Sequence, residues 1–239
     1  EQYEIRDSQE VPCDIFVWGV GPSPDPRLTR IGGVPWLPKH QPWPDIDGVI
    51  PVFLCQFNFQ DSKDLIGQRV AEKLPGDILL VFVADENSAM SNELKEMRFV
   101  WVSAEEKEVI DQSDVPAPTN PFEFVKAWGA RYRTRDIPTK WDQASKMYYN
   151  TGKQSSLWQL PVLRATKIGG VPYDSQDKHR VVPRQYLCQL VSVQASMNTI
   201  WPWINRKDPI EDFSGEDGIY NPGNTLVIGD LGELSIFLD

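Results

Sequence analysis

The chain has 239 residues, of which 41% are hydrophobic and 24% charged, and its formal net charge at pH 7 is −10. This acidic balance argues against a broad phosphate-binding surface, and the lack of a long apolar run argues against a membrane span, so we expect neither nucleic acid nor a membrane as partner. The 20 prolines and 16 glycines favour short strands and many turns over long helices.

The cysteine content points to an ordinary intracellular protein. Cys13, Cys55 and Cys188 are odd in number and widely spaced, which suggests neither a disulfide framework nor a zinc site. Two of them lie in apolar runs, where a thiol usually acts as a small buried hydrophobe. We therefore expect no metal, no cofactor and a reducing compartment. No signal peptide is recognised, so the expected location is cytoplasmic.

The first half of the chain opens with a glycine turn followed by buried strands. Residues 29–35 read T-R-I-G-G-V-P, in which the glycine pair permits positive φ or a close backbone approach and Val-Pro forces an extended exit. The apolar runs at 51–57 and 76–83 predict two buried strands. Between them, an N-cap signal at 61–64 predicts a short amphipathic helix that ends before Pro75.

The middle of the chain contains two more predicted strands around a linker. The first strand is expected at 99–102, and three prolines within 116–121 mark the linker. Aromatic and polar residues then alternate over 128–135, which predicts a half-exposed strand. A short helix is expected at 141–149.

The landmarks of the first half recur in the same order in the second half. The seven-residue turn returns at 166–172 with six of seven positions identical, 137 residues later (166 − 29). The Leu-Cys-Gln segment at 54–56 returns at 187–189, and the strand at 76–83 resembles residues 232–238. Three matching landmarks in one order predict an internal duplication.

We therefore predict an α+β, β-rich fold: one internally duplicated domain with pseudo-two-fold symmetry and a few short peripheral helices. Repeat one covers 1–115, the linker 116–121 and repeat two 122–239. Each copy alone would expose much apolar surface, so the copies should share a core, in two sheets or in one continuous curved sheet. The acidic, glycine-rich insertion at 205–222 in repeat two is predicted to be a surface loop.

These motifs together resemble the YwqG-like family of bacterial proteins, whose function is uncharacterised. The segments that carry the resemblance are 31–38, 43–44, 53–56 and 74–83 in the first half, and 167–172, 186–190 and 232–238 in the second. The resemblance spans the chain from about residue 28 to the end and departs at the acidic insertion. It implies a duplicated β-rich fold, but no assigned activity and no catalytic residues.

Two pairs of polar residues recur with the repeat and are candidate binding residues. Arg30 and Lys167 are cations beside the glycine turns, and turn N–H groups next to a cation can hold an anion. The turns lack the sequence context of a phosphate or dinucleotide loop. Gln56 and Gln189 lie inside apolar runs, where a glutamine either bonds to backbone, the favoured interpretation, or faces a ligand.

Aromatic and histidine residues in the loops complete the candidate set. Trp36 and Trp43 lie in tryptophan–proline runs, which either line a groove or, as we favour, hold long loops on the sheet. His40 and His179 occupy corresponding loops and each follows a lysine. They either face one shared cleft or, as we favour, are ordinary surface residues.

For function, we favour a non-enzymatic ligand-binding or protein-interaction module with a cleft between the two repeats. Its ligand would be a small molecule or a protein that the sequence does not identify. One alternative is an acidic, immunity-type inhibitor of a basic toxin, suggested by the net charge and the insertion. The other is a hydrolase or transferase with an unrecognised site near the two histidine loops, although no catalytic residue can be named.

Overall fold

The computed structural model describes the chain in several segments. The described residues are 10–20, 22–91, 94–136, 165–172, 185–194, 225–226, 228 and 233–238. The predicted helix at 141–149, the acidic insertion at 205–222 and His179 lie outside them. Within these segments no helix is long and apolar enough to cross a bilayer.

The dominant feature is one antiparallel sheet of nine strands. Its strands are β1 (Val11–Val20), β2 (Arg30–Ile31), β3 (Val52–Asn58), β4 (Ile78–Val83), β5 (Met97–Val102), β6 (Ala127–Asp136), β7 (Lys167–Gly169), β8 (Gln185–Val191) and β11 (Glu233–Leu238). A separate ribbon pairs β9 (Val193–Gln194) with β10 (Thr225–Leu226). The helices are short: α1 (Gln68–Ala71), α2 (Glu86–Ser91) and the 3₁₀ turns Lys63–Leu65, Leu94–Glu96 and Gln112–Asp114. The β-rich class predicted from the sequence is confirmed.

The strand order places the two longest strands side by side near the middle of the sheet. The order is β11-β8-β7-β1-β6-β2-β3-β4-β5. Strands β1 and β6 pair along their whole length, from Val11 opposite Asp136 to Val20 opposite Ala127. Strands β2 to β5 extend the sheet beside β6, and β7, β8 and β11 extend it beside β1. We call β1 and β6 the central pair.

Four strands of the first 136 residues fall where the sequence predicts them. Strand β3 is buried along nearly its whole length and β4 throughout, because both faces of the sheet are covered there, so their sequences are continuously apolar. The sequence of β6 includes many polar residues, because the middle of this strand is exposed. Strand β1 is absent from the sequence-based prediction, since Asp14 and Gly19 interrupt its apolar pattern.

The short helix predicted between residue 61 and Pro75 is present in two pieces, a 3₁₀ turn and α1. Gly67 has φ of +82°, which ends the 3₁₀ turn Lys63–Leu65 and starts α1 separately. Ser62 stands at the N-cap but makes no capping bond, because its hydroxyl donates instead to the carboxylate of Asp14 at 2.7 Å. A tertiary contact therefore replaces the local signal on which the prediction depended.

The two faces of the sheet carry different layers. The core face holds the large apolar cluster, which includes Phe16 and Trp18 of β1 together with Val81 of β4 and Leu187 of β8. Strands from opposite ends of the sheet share this one cluster, so the sheet curls around it. The opposite face, which we call the loop face, packs a smaller cluster around Leu80 beneath the loops of the first half.

Candidate functional site

Two glycine turns occupy corresponding places on either side of the central pair. Gly32 and Gly33 have φ of +59° and +78°, and Gly169 and Gly170 have φ of +69° and +74°. The positive φ predicted for both turns is confirmed, and each turn is tied to the sheet by backbone: Gly32 N donates to Leu54 O at 2.8 Å and Gly170 N to Pro12 O at 3.1 Å. We call residues 30–34 with Gln56 the first corner, and 167–171 with Gln189 the second corner.

In the first corner, Gln56 is held entirely by backbone groups. Its Nε2 donates to Leu28 O at 2.8 Å and to Pro26 O at 3.0 Å, and its Oε1 accepts from Trp36 N at 2.9 Å. The side chain is fully buried, so these bonds satisfy a polar group that would otherwise destabilise the fold. Gln56 thereby fixes the loop that covers this part of the loop face.

Arg30 lies next to Gln56 and is bonded less completely. It stands opposite Gln56 on one side and Trp128 on the other, and is 9% exposed. Nη1 donates to Val34 O at 2.9 Å and Nη2 to Asp25 O at 3.3 Å, whereas buried Nε finds no acceptor among the described residues. Burial lowers the pKa of the guanidinium, and nearby Asp25 only partly opposes this.

In the second corner, the cation is paired with a carboxylate. Lys167 and Asp136 are both fully buried, with Nζ and Oδ2 2.7 Å apart. The same carboxylate oxygen accepts from Val171 N at 2.9 Å, so it joins the cation to the exit of the glycine turn. Burial lowers the pKa of Lys167, and Asp136 opposes this shift. Gln189, opposite Lys167, is also fully buried.

The two corners lie on either side of the central pair and do not converge. Strands β6 and β1 separate Arg30 on β2 from Lys167 on β7. Three strand spacings separate their Cα atoms by roughly 14 Å across the sheet. The structure brings each cation together with its own glutamine, and leaves the loop face of the central pair between them.

The loop face of the central pair is partly open. Val17 pairs directly with Ala130, and Trp128 and Tyr132 lie two residues to either side of Ala130 on the same face. Val17 and Ala130 are half-buried, while Tyr132 is 61% exposed. The indole of Trp128 lies over Gly19, where a Cβ would come within 2.5 Å of Cζ2. We call Val17, Trp128, Ala130 and Tyr132 the seam floor.

On the core face, a charged network that the sequence reasoning missed clamps residues 61–64 to the central pair. Fully buried Asp14 accepts from Arg133 Nε at 2.6 Å and from Arg131 Nη1 at 3.3 Å. Arg133 also donates to Asp64 at 2.6 Å, and this bond lowers the pKa of that carboxyl. A single acidic residue inside an apolar run, such as Asp14, indicates that a polar partner is buried with it. The sequence pattern does not identify that partner.

The two candidate tryptophans hold loops against the sheet. Trp36 Nε1 donates to Ser103 O at 3.0 Å, and Trp43 Nε1 donates to Pro51 O at 3.1 Å. The Trp43 ring meets Phe82 edge-on, with centroids 5.1 Å apart. Both rings are half-buried, so their contacts match the packing interpretation of the tryptophan–proline runs.

The histidines and cysteines offer no activated group in the described segments. His40 is exposed on its loop. All three thiols are buried; burial raises the pKa of Cys13 to about 12 and also raises that of Cys55. Burial raises the pKa of Cys188 as well, and Cys55 adds to this rise, which places these two thiols in the same part of the core. Buried thiols of raised pKa are protonated at neutral pH and are poor nucleophiles.

Comparison with known proteins gives a family and no activity. No curated protein matches the chain. The family described as a domain of unknown function, DUF1963, matches residues 29–204, a segment that includes both glycine turns and strands β2 to β9. That segment is well over half of the sequence, and the chain therefore belongs to the DUF1963 family.

Proposed function

We propose that the chain consists of two diverged copies of one unit, as in a YwqG-like protein, joined by exchange of their first strands. Equivalent residues pair in the same register: Arg30 faces Gln56 as Lys167 faces Gln189. Strand β2 of copy one pairs with β6, and β7 of copy two pairs with β1. This exchange supports a shared core within one domain, with repeats at 1–115 and 122–239.

On this basis, the function we propose is non-enzymatic binding of a ligand or partner at the seam floor. The observation that carries the proposal is an exposed aromatic ring beside two smaller, half-buried residues, between two covered flanks. Tyr132 lies beside Val17 and Ala130 and is 61% exposed. By contrast Leu80, which lies on the loop face of β4, is fully buried. Aromatic rings beside small residues offer a ligand apolar contact area and polar edges.

The flanks of the floor support the same proposal. Arg30 lies directly beside Trp128 on one side, and Lys167 lies beside Ile15 on the other. One corner with a buried cation therefore lies at each margin of the floor. Because Lys167 is neutralised by Asp136, the two margins differ in charge, which would orient an asymmetric ligand.

The two alternatives remain predictions. The acidic insertion that suggested an inhibitor of a basic toxin lies outside the described residues, as does His179 of the predicted histidine pair. The protonated, buried thiols oppose a cysteine nucleophile but leave other chemistry open.

Backbone NMR during a screen of small-molecule fragments and short peptides tests the proposal. Ligands should perturb the resonances of Val17, Ala130 and Tyr132 together, and Ala130→Trp, which fills the floor, should abolish binding. Phe99→Ala is the matched control, since Phe99 is an exposed aromatic on β5, away from the floor. Ligands that bind wild type and Ala130→Trp equally, or perturb only other surfaces, would refute the seam floor as the site.

A further inference from the structure

We propose that the first corner binds the carboxylate of an external ligand, in the position that Asp136 fills in the second corner. This inference rests on the proposed duplication and binding function, and names the chemistry that the margin of the seam floor recognises. Both corners bury a cation, but among the described residues only the second corner pairs that cation with a carboxylate.

Among the described residues, Arg30 is a buried cation that forms no ion pair. Its guanidinium donates instead to two carbonyl oxygens, Val34 O and Asp25 O. Asp25, the acid that interacts with it electrostatically, is bonded to Arg27 at 2.8 Å. A buried charge is costly unless it is paired. The unused, buried Nε–H of Arg30 is therefore a donor that lacks its acceptor.

The missing carboxylate can be located from the strand registers. In the second corner, Lys167 pairs with Ile15 of β1; in the first corner, Arg30 pairs with Trp128 of β6. Under the proposed duplication, a residue of β6 and its counterpart on β1 therefore differ by 113 in residue number (128 − 15). Continued three residues beyond the end of β1 at Val20, the same offset makes residue 23 (136 − 113), a serine, the counterpart of Asp136. Ser23 Oγ donates to Asp25 O at 2.7 Å, and Arg30 Nη2 donates to the same oxygen at 3.3 Å. Ser23 therefore lies beside Arg30, as the register predicts, but carries no charge.

A second donor lies on the same face. Trp128, directly across from Arg30, has a buried Nε1–H that finds no acceptor within the described part of the chain. A carboxylate has two acceptor oxygens, and bonds from a guanidinium to a carboxylate are stronger and more directional than bonds to a carbonyl. A carboxylate bonded to Nε of Arg30 would neutralise the guanidinium and would lie on the same face as the Trp128 Nε1–H.

Entry of the ligand requires one existing contact to give way. Arg30 Nε and Trp128 Nε1 are both covered in the structure. The bond from Arg30 to Asp25 O, at 3.3 Å, is longer than its bond to Val34 O, at 2.9 Å. Asp25 belongs to a surface segment whose side chains are only partly buried, so an arriving carboxylate displaces this carbonyl while Val34 continues to hold the guanidinium.

The indole N–H resonance of Trp128, assigned with Trp128→Phe, gives a direct readout. Sodium acetate should shift this resonance in a saturable manner, whereas sodium chloride at the same ionic strength should not. A short peptide with a free C-terminus, compared with its amide, shows whether a chain end can supply the carboxylate. A response in either arm supports the proposal, and no response in both arms overturns it.

Two substitutions at Ser23 provide the matched test. Ser23→Asp places the carboxylate of the second corner into the first, and should abolish the acetate response and raise Tm. Ser23→Asn has nearly the same size without the charge and should respond to acetate like wild type. Equal responses in these two variants would overturn the proposal.

Arg30→Gln provides an additional arm, in which acetate affinity should fall at least tenfold. Because Ser23 is half-buried and outside the strands, the Ser23 pair remains decisive if Arg30→Gln fails to fold. Failure of the two proposals is distinguishable. If acetate gives no response but fragments still perturb Val17 and Tyr132, only the carboxylate site is refuted. If acetate gives a response but no ligand binds the seam floor, only the seam-floor function is refuted.

Discussion

The two corners of this protein use different physics for the same task of holding a glycine turn on a sheet. In the first corner, Arg30 reaches the exit of the turn directly, by donating to Val34 O. In the second, Lys167 acts through Asp136, which accepts from Val171 N. A guanidinium has five donors in a planar fork and can bond to several carbonyls, whereas an ammonium is a compact point charge with three donors, which here pairs with one carboxylate. One turn motif can therefore be supported with or without a buried ion pair.

The largest effect should come from removing the carboxylate of the second corner. Asp136→Ala leaves the buried Lys167 ammonium without its partner and should lower the free energy of unfolding by about 4 kcal/mol. Urea denaturation measures this change. Asp25→Ala, which breaks a partly exposed pair with Arg27, should cost less than about 1 kcal/mol. Equal losses would mean that the two corners do not differ as described.

The glycine turns allow a second contrast at equal backbone strain. Gly33 and Gly170 have φ of +78° and +74°, but a Cβ on Gly33 meets nothing within 4 Å. A Cβ on Gly170 would collide with the Asp136 carboxylate and lie 2.8 Å from Cys13 Cβ. We expect Gly33→Ala to lower the free energy of unfolding by about 1 kcal/mol and Gly170→Ala by about 3 kcal/mol. A smaller loss for Gly170→Ala in thermal or urea unfolding would contradict the close packing of the second corner.

Alkaline pH should weaken the second corner through Cys13. Burial raises the pKa of this thiol from 9.0 to about 12, so above pH 9 the unfolded chain loses a proton that the folded chain retains. Its contribution to stability is therefore complete below pH 9 and decreases by about 1.4 kcal/mol for each pH unit between 9 and 12. The groups that interact with Cys13 are Asp136, Lys167, Asp14 and Arg133.

Comparison of variants isolates this thiol from the other titrating groups. Between pH 9 and 10, the free energy of unfolding measured in urea should fall by about 1 kcal/mol less for Cys13→Ala than for wild type, because the unfolded thiol is half deprotonated at pH 9. Because Cys55 and Cys188 are unchanged in both proteins, their contributions cancel in the difference. Parallel pH profiles for the two proteins would rule out the predicted role of Cys13.

The smallest effect concerns the shape of the first cation. Arg30→Lys retains the charge but loses the fork that reaches Val34 O and Asp25 O, and should lower the free energy of unfolding by about 1 to 2 kcal/mol. Arg27→Lys is the control on an exposed arginine and should be nearly neutral. A loss as large as that of Asp136→Ala would show that the first corner depends on its cation as strongly as the second does.

Much of the architecture could be predicted from local signals. The glycine turns, strands β3 to β6 and the burial of Cys55 and Cys188 follow from short patterns, because conformation at glycine and the apolar period are properties of neighbouring residues. The predicted helix between residue 61 and Pro75 is divided in two by Gly67, and its capping signal is lost to a distant group, since the Ser62 hydroxyl donates to Asp14. Strand β1 was not predicted for a related reason. A buried acid such as Asp14 is compatible with an apolar strand only when arginine side chains pair with it, and those partners are known only from the tertiary structure.

The candidate site, too, could be predicted only in part from the sequence. The residue order places Arg30 and Lys167 beside two similar glycine turns and Gln56 and Gln189 in two similar apolar runs, because these short patterns can be read directly from the sequence. The ion pair of Lys167, and the lack of one for Arg30 among the described residues, became visible with the strand pairing. Asp136 lies 31 residues before Lys167, and strand pairing brings these two side chains together across a distance that no local pattern encodes.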